Sequence, residues 1–279
     1  MHEMPTPLRY PGGKQRIWRT IADIIVSNGL EGCEYVEPYA GGAGVALELL
    51  EHGVVSKIHI NDINPIVSNF WKTILRSPEE ICSLVLQTPV TVSEWDHQKS
   101  VMKAADSSPI EKAFAFLFLN RTSFSGIIDG GIIGGRKQLG KYKIGARYPQ
   151  EKIARYIANI AANKKKIKVY SSDASKFLIK IDSNPKDTFI YCDPPYYVKG
   201  RQLYLDYYQH EHHVEIANIL RRISSPWIVS YDNVKEIRLI YKDVKNTLLE
   251  LPYCARNHSI GKEILFYSEN VSCLPKRRN

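Results

Sequence analysis

What the chain has little of narrows its class first. Its five cysteines, Cys33, Cys82, Cys192, Cys254 and Cys273, are scattered without a C-x-x-C pair, so neither a disulfide framework nor a structural zinc site is suggested. That usage fits a reducing cytoplasm. No apolar run approaches the roughly 18 residues that a membrane span requires, and the opening MHEMPTPLRY has no apolar core of a secretory signal. A chain that stays inside the cell, away from the membrane, is expected. Internal repeats are absent, and the only charge runs, Lys164–Lys166 and the terminal PKRRN, read as solvated surface.

What is present is an ordinary globular balance, 44% hydrophobic and 24% charged, which excludes disordered and fibrous classes. Single cores stop growing near roughly 250–300 residues, so the 279 residues fit one large domain or a catalytic domain carrying an insertion. Lys+Arg 38 against Asp+Glu 29 leave a net charge of +9. Such an excess favours a polyanionic partner, nucleic acid before others.

The pattern along the chain points to an insertion. RYPGGKQRIWRTIADIIVSNG reads as a Gly-rich turn feeding an amphipathic helix with Ile17, Ile21, Ile24 and Ile25 on one face. YVEPYAGGAGVALELLEHG follows as strand, Gly-rich turn and helix, and KIHINDIN as a second strand ending in acids. Between about Ile66 and Pro149, helical segments such as EKAFAFLFLNR lead into a glycine-rich polar stretch, and strand–helix alternation stops. It returns in KVYSSDASKFL, DTFIYCDPPYY, HHVEIANILRRIS, PWIVSYDN and two late strands. Residues 1–65 and 150–279 therefore read as one α/β domain, and residues 66–149 as an insertion into it.

Two motifs carry chemistry. Glu37-Pro38-Tyr39-Ala40-Gly41-Gly42-Ala43-Gly44 follows a strand and opens a helix, where backbone can approach a cofactor closely. The glycines alone are as readily a structural turn with no ligand. With Asp62 ending the next strand, the turn could describe a nicotinamide dinucleotide site. Glu37 at its mouth would repel a pyrophosphate, however, and suits a cationic ligand such as a sulfonium. The second motif, Asp193-Pro194-Pro195-Tyr196, follows an apolar strand at the end where open α/β sheets bind ligands. Two prolines remove two amide donors, so the carbonyls and the Asp carboxylate present acceptors suited to an amino group, beside an aromatic ring that can stack on a base. A bland strand-ending turn is the competing reading.

Taken in order, RYPGGK, VEPYAGGAG, HINDIN, FLFLNRTSFSGI, CDPPYY and PWIVSYDNV closely resemble the DNA adenine-N6 methyltransferase family whose glycine motif precedes the recognition insertion and whose DPPY motif follows it. The resemblance covers most of the chain. It implies a Rossmann-like S-adenosylmethionine-dependent methyltransferase sheet with helices on both faces, plus a mostly helical DNA-recognition insertion carrying a hairpin. It implies direct methyl transfer to adenine N6 of a flipped base, without metal or covalent enzyme intermediate. Tyr10, Gly13 and Lys14 would then lie by the methionine end of the cofactor, and tryptophan is common where Tyr10 stands. Glu37, Pro38, Gly41, Gly42 and Gly44 would form the cofactor turn, with Asp62 and Ile63 at the ribose. Asp173, ahead of Phe177, would border the cofactor adenine, although an aspartate there can equally be a helix N-cap.

Asp193 and Pro194 would act on the target amine, with Pro195 and Tyr196 completing the catalytic motif. In the insertion, Arg121, Ser123, Phe124 and Ser125 would form a DNA-contacting hairpin, and Arg136 and Lys141 a basic stretch for backbone contact. Beyond Ile128, DGGIIGGRKQLGKYK departs from the pattern of GATC-specific members, which leaves the target sequence open. Double-stranded DNA is the expected partner, with a cognate restriction endonuclease as a functional counterpart rather than a bound one. Three other readings remain: methylation of RNA or a protein glutamine, a catalytically inactive DNA-binding protein, and a nicotinamide oxidoreductase.

Overall fold

The computed structural model describes residues 5–9, 17–182, 187–197, 208–251 and 261–272. Its frame is one sheet of β1 (Glu34–Glu37), β2 (Lys57–Asn61), β3 (Ile167–Tyr170), β4 (Thr188–Cys192), β5 (Trp227–Asp232), β6 (Lys245–Leu251) and β7 (Gly261–Tyr267) in the order β3-β2-β1-β4-β5-β7-β6. The pairs among β1 to β5 are parallel, whereas β7 runs antiparallel to both β5 and β6. Thr188–Cys192 is buried at every position, as expected of a parallel strand covered on both faces.

Alternate residues along each strand serve different cores. Tyr35, Ile58, Phe189, Tyr191, Ile228 and Leu265 join one cluster, while Val36, Ile190, Cys192, Val229, Ile264 and Phe266 join the other. The first face receives α1 (Trp18–Ser27) and α2 (Gly44–Glu51), the second α8 (Ala174–Ile181), α9 (His210–Leu220) and α10 (Lys235–Ile240). Helices thus cover both faces, and the expected Rossmann-like α/β class is the one found. In α1 the buried side chains include Ile21, Ile24 and Ile25, three of the isoleucines that the sequence places on one face.

Residues 66–122 are largely helical and the glycine-rich stretch after them is not, as their pattern predicts: α3 (Pro65–Arg76), α4 (Pro78–Gln87), α5 (Val92–Lys103) and α6 (Pro109–Thr122) precede two short 3-10 turns and then α7 (Gln150–Ala162). Ser108 and Glu111 close a capping box in front of α6, with Pro109 in its first turn. The apolar run of α6 is buried on nearly all sides, which suits a helix without a polar stripe. Phe70 and Trp71 of α3, Phe114 and Phe118 of α6 and Ile153 of α7 belong to the same cluster as Tyr35 and Ile58 of the sheet. The hairpin expected after α6 is, among the described residues, a single antiparallel bridge between Ser123 and Ile132. No helix among them is long and apolar enough to cross a membrane.

The strand order has a functional consequence. From β1 the chain moves outward to β2 and β3, then returns to β4 on the other side of β1 and continues to β5. The connections therefore diverge between β1 and β4, and the crevice at the carboxyl ends of those strands is where open α/β sheets bind ligands. Glu37 ends β1, and Asp193 directly follows β4.

Candidate active site

Glu37 is 5% exposed, and its Oε1 accepts the Tyr35 hydroxyl at 2.9 Å and the Ala46 amide at 3.1 Å. Burial pushes the carboxyl up to about 8; the two hydrogen bonds oppose the rise, and nearby Asp193 adds to it. A cation set against this acid would reverse the effect of burial.

The glycine turn is built by contacts from three elements. Ala40 donates its amide to the Asn61 carbonyl at 2.8 Å, Gly41 to Asp62 Oδ2 at 2.9 Å, and the Trp71 indole to the Gly41 carbonyl at 2.9 Å. Gly41 and Ala43 lie in the left-handed region, at φ 46° and 47°, a conformation that glycine adopts without a Cβ penalty. Pro38 and Gly42 are buried, and Gly44 opens α2. Asp62 Oδ1 accepts the Asn64 amide, whereas Ile63 points outward, 51% exposed.

Asn61 does more than sequence reasoning assigned to it. Its side-chain amide donates to the carbonyls of Pro38 and Ser172 at 3.0 and 2.9 Å, and its Oδ1 accepts the Ser172 amide at 3.0 Å. One buried side chain therefore joins the ends of β1, β2 and β3. The only advance signal was its place in HINDIN, one residue before Asp62. Asp173 is the N-cap of α8, taking the amides of Ser175 and Lys176 and the Ser175 hydroxyl on Oδ1. Burial alone would raise its carboxyl, but these bonds outweigh it and hold the group below the usual range.

The DPPY segment is fastened from β5 and β7. The Ser230 hydroxyl donates to Asp193 Oδ1 at 3.1 Å, and Tyr191 and Ser230 share a hydroxyl contact at 2.9 Å. Pro194 is buried, whereas Asp193, Pro195 and Tyr196 are partly open. The Tyr196 hydroxyl donates to Glu263 Oε1 at 2.6 Å, and the Tyr197 amide to Asp232 Oδ1 at 3.0 Å. Across the crevice, the hydroxyls of Tyr39 and Tyr208 meet at 3.1 Å. Glu37, Asp62 and Asp193 thus bring three acids to the carboxyl ends of β1, β2 and β4, Glu37 buried and the other two partly open. That donor set fits a ligand bearing an ammonium, a sulfonium and hydroxyls better than one bearing phosphates. A separate cavity of about 220 Å³ lies lower on the sheet, against Glu34, His59, Lys168 and Tyr170; it is apart from this chemistry. Among the described residues no group of three or more His, Cys, Asp or Glu side chains could hold a metal ion.

In the insertion, Asn120 clasps Arg9: it accepts the Arg9 amide at 2.7 Å and donates to the Arg9 carbonyl at 2.7 Å and the Gly126 carbonyl at 2.9 Å. Gly126 is required there, because φ is +79° and a Cβ would lie 2.2 Å from the Arg9 carbonyl oxygen. Phe124 is 56% exposed beside Ser125, itself exposed and at φ 56°. Ser123 faces inward, fully buried, with its hydroxyl accepting the Trp95 indole. Arg121 is half-buried with an enclosed Nε that has no hydrogen-bond partner among the described residues. Burial pulls its pKa down to about 10, and the nearby positive charges of Arg9 and Arg147 act in the same direction. Arg136 is held in a two-point ion pair with Asp96, at 2.9 and 2.7 Å, on the surface. Lys141 is exposed beside the Tyr142 ring. Tyr10, Gly13 and Lys14 lie outside the described residues.

Comparison with known proteins places this geometry in context. The pattern of the D12 class N6 adenine-specific DNA methyltransferase family matches residues 10–253. The type II methyltransferase M.MjaIII of Methanocaldococcus jannaschii is 26% identical over 206 residues, 68% of each chain. The Retron Ec67 DNA adenine methylase of Escherichia coli is 24% identical over 248 residues, covering 86% of this chain and 81% of its own. The solved structure of the rRNA methyltransferase aviRa from Streptomyces viridochromogenes overlays 94% of this chain and 88% of its own with a TM-score of 0.45 and 12% identity.

Proposed function

The chain belongs to the D12 class N6 adenine-specific DNA methyltransferase family, and on that premise we propose that it methylates adenine N6 within a short duplex DNA target, with the adenine turned out of the helix. One observation carries this reading. Asp193 stands at the switch point just past β4, oriented by Ser230 at 3.1 Å, and is followed by two residues that have no backbone N–H to compete with it. The reading sets the enzyme to work in the cytoplasm. A cognate restriction endonuclease would be a counterpart in function, and none is needed as a bound partner.

The family implies S-adenosylmethionine, and these three acids fit it; the cofactor supplies an electrophilic methyl group. Glu37 would hold its ammonium group and Asp62 its ribose hydroxyls. Each Asp62 oxygen already accepts one amide, but a carboxylate offers about four acceptor positions, so room remains. We assign Tyr10, Gly13 and Lys14 to the methionine end, the backbone of Pro38, Gly41, Gly42 and Gly44 to close approach, and Ile63 and Asp173 to the adenosine side. Adenine N6 is a weak nucleophile because its lone pair is delocalised into the ring. Donation of its protons to the Asp193 carboxylate and the Pro194 carbonyl favours a geometry in which the lone pair is exposed, while Pro195 stiffens the segment and Tyr196 stacks on the base.

The target-recognition role goes to residues 66–149. Phe124, exposed, would wedge between bases, with Ser125 beside it. Arg121, among Arg9 and Arg147, supplies positive potential for a phosphate, and Lys141 an exposed cation at the backbone. Arg136 reaches a phosphate only by leaving Asp96, and Ser123 supports the turn from within. Label transfer from S-adenosylmethionine to duplex DNA, RNA and protein tests the reading. Label in N6-methyladenine of duplex DNA is expected; label in RNA or protein alone overturns it.

A further inference from the structure

Beyond β4, the bonds that hold the DPPY segment among the described residues come from side chains far along the chain. Asp232 of β5 and Glu263 of β7 face each other in register across the antiparallel pair. Asp232 takes the backbone amide of Tyr197 at 3.0 Å, and Glu263 takes the side-chain hydroxyl of Tyr196 at 2.6 Å. Two paired carboxylates therefore fix two consecutive residues, one through its main chain and the other through the far end of its ring.

Glu263 is 2% exposed and adjoins Ile264, Leu265 and Phe266, all buried. A carboxylate at the end of such an apolar run is unfavourable to bury unless it is bonded, and for packing alone an aliphatic side chain would serve better. The bond it makes falls on the one DPPY side chain whose ring could otherwise swing about its Cα–Cβ bond. Anchoring the hydroxyl at the para position stops that swing, and because a phenolic O–H prefers the plane of its ring, the direction of the bond also favours one tilt of the ring about its long axis. The bond is short, as hydrogen bonds from a hydroxyl to a carboxylate are.

We propose that Glu263 is a positioning residue for methyl transfer, holding the Tyr196 ring in the orientation that receives the extruded adenine before the base arrives. This rests on the reading of Tyr196 as the stacking platform. A ring already in place loses less rotational freedom when the base docks, so the benefit falls on base capture and on kcat, while cofactor affinity is left alone.

The test uses the full chain with Glu263→Gln, Glu263→Leu and Tyr196→Phe, with each Glu263 change also made in the Tyr196→Phe background. Kcat on duplex DNA is measured together with the emission of 2-aminopurine at the target adenine, once methylated host DNA has been sequenced to locate it. Glu263→Leu and Tyr196→Phe are each expected to lower kcat by about tenfold, the scale of one hydrogen bond to a charged group, and to blunt the rise in emission. Glu263→Gln keeps a carbonyl acceptor and should recover most of the loss. In the Tyr196→Phe background, Glu263→Leu should add almost nothing, because the hydroxyl it acts through is gone.

An equal loss in both backgrounds would show that Glu263 merely supports the sheet, and wild-type kcat in Glu263→Leu would show no role; either overturns the proposal. Should the leucine variant fail to fold, wild-type kcat and emission in Tyr196→Phe overturn it on their own. The stacking reading stands or falls on a different variant. If Tyr196→Ala is no worse than Tyr196→Phe, the ring is not a platform, whereas a severe loss in Tyr196→Ala with unaffected Glu263 variants refutes only the positioning role.

Discussion

Asp62 accepts the Gly41 amide on one carboxylate oxygen and the Asn64 amide on the other, both at 2.9 Å. A single acid thereby ties the glycine turn after β1 to the start of α3, so its side chain shapes the turn as well as facing the crevice.

Replacing it should therefore damage cofactor binding twice over. Asp62→Ala removes two charged hydrogen bonds within the protein and the proposed contact to the ribose, each worth about 1.5–3 kcal/mol. Calorimetry should show S-adenosylmethionine affinity falling by at least about tenfold; an unchanged affinity contradicts the assignment of Asp62 to the ribose.

Glu37 makes pH a probe of the same pocket. Its carboxyl titrates near about 8 in the folded protein, against roughly 4.3 in an unfolded chain. The folded state then holds the proton more tightly, so the stability this acid contributes is fully present below roughly 4.3 and is lost as pH rises through about 8. The cofactor-free protein should melt at progressively lower temperature between about pH 6 and about pH 8.5, and Glu37→Gln should flatten that slope. A cationic ligand prefers the ionised acid, so cofactor binding below pH 8 should release protons. Calorimetry in buffers of differing ionisation enthalpy reads that release, and its absence in the wild type refutes the pairing of Glu37 with the ammonium group.

Asp193→Ala should remove methyl transfer by more than about 100-fold while leaving cofactor affinity near normal, the order of loss when a transition-state contact disappears. Ser230→Ala, which leaves the carboxylate but not the hydroxyl that orients it, should lose far less. Near-normal turnover in Asp193→Ala would end the assignment of this residue to the target amine.

Phe124 separates DNA handling from cofactor handling. Its ring is exposed in the turn after α6. Phe124→Ala should weaken DNA binding or base extrusion, seen as a smaller 2-aminopurine response, with S-adenosylmethionine affinity unchanged. Normal binding and normal extrusion in this variant would remove Phe124 from the DNA interface.

The parts of the site that were legible beforehand are those written locally. Glycines after a strand, an acid at the end of the next strand and a double proline after an apolar run announce themselves within a few residues. Their order along the chain identified the family, and the alternation of strand and helix identified the sheet. The supports were not legible, because they act between residues that are remote in sequence. Ser230 reaches Asp193 across 37 positions and Glu263 reaches Tyr196 across 67, distances that only the order of strands in the sheet closes. Arg136 illustrates the same limit from the other side: its partner Asp96 is 40 positions earlier, so nothing near it in sequence reveals that its charge is engaged. Asp173 shows an ambiguity that geometry alone decides at the level of hydrogen bonding, since its carboxylate caps α8.

If residues 66–149 read the target, as proposed above, the core they share with the sheet limits how such a protein can acquire a new one. Phe70, Phe114 and Phe118 pack in the same cluster as Tyr35 and Ile58, so residues 66–149 are not a cassette that could be exchanged whole without reopening the core of the sheet. Room for change without touching that core lies after α6, where Phe124, Ile127, Leu139 and Tyr142 stand exposed. Substitutions there alter what the surface touches and leave the core volume untouched. Evolution and engineering alike would therefore rewrite recognition residue by residue along this stretch, while α3, α6 and α7 stay as they are.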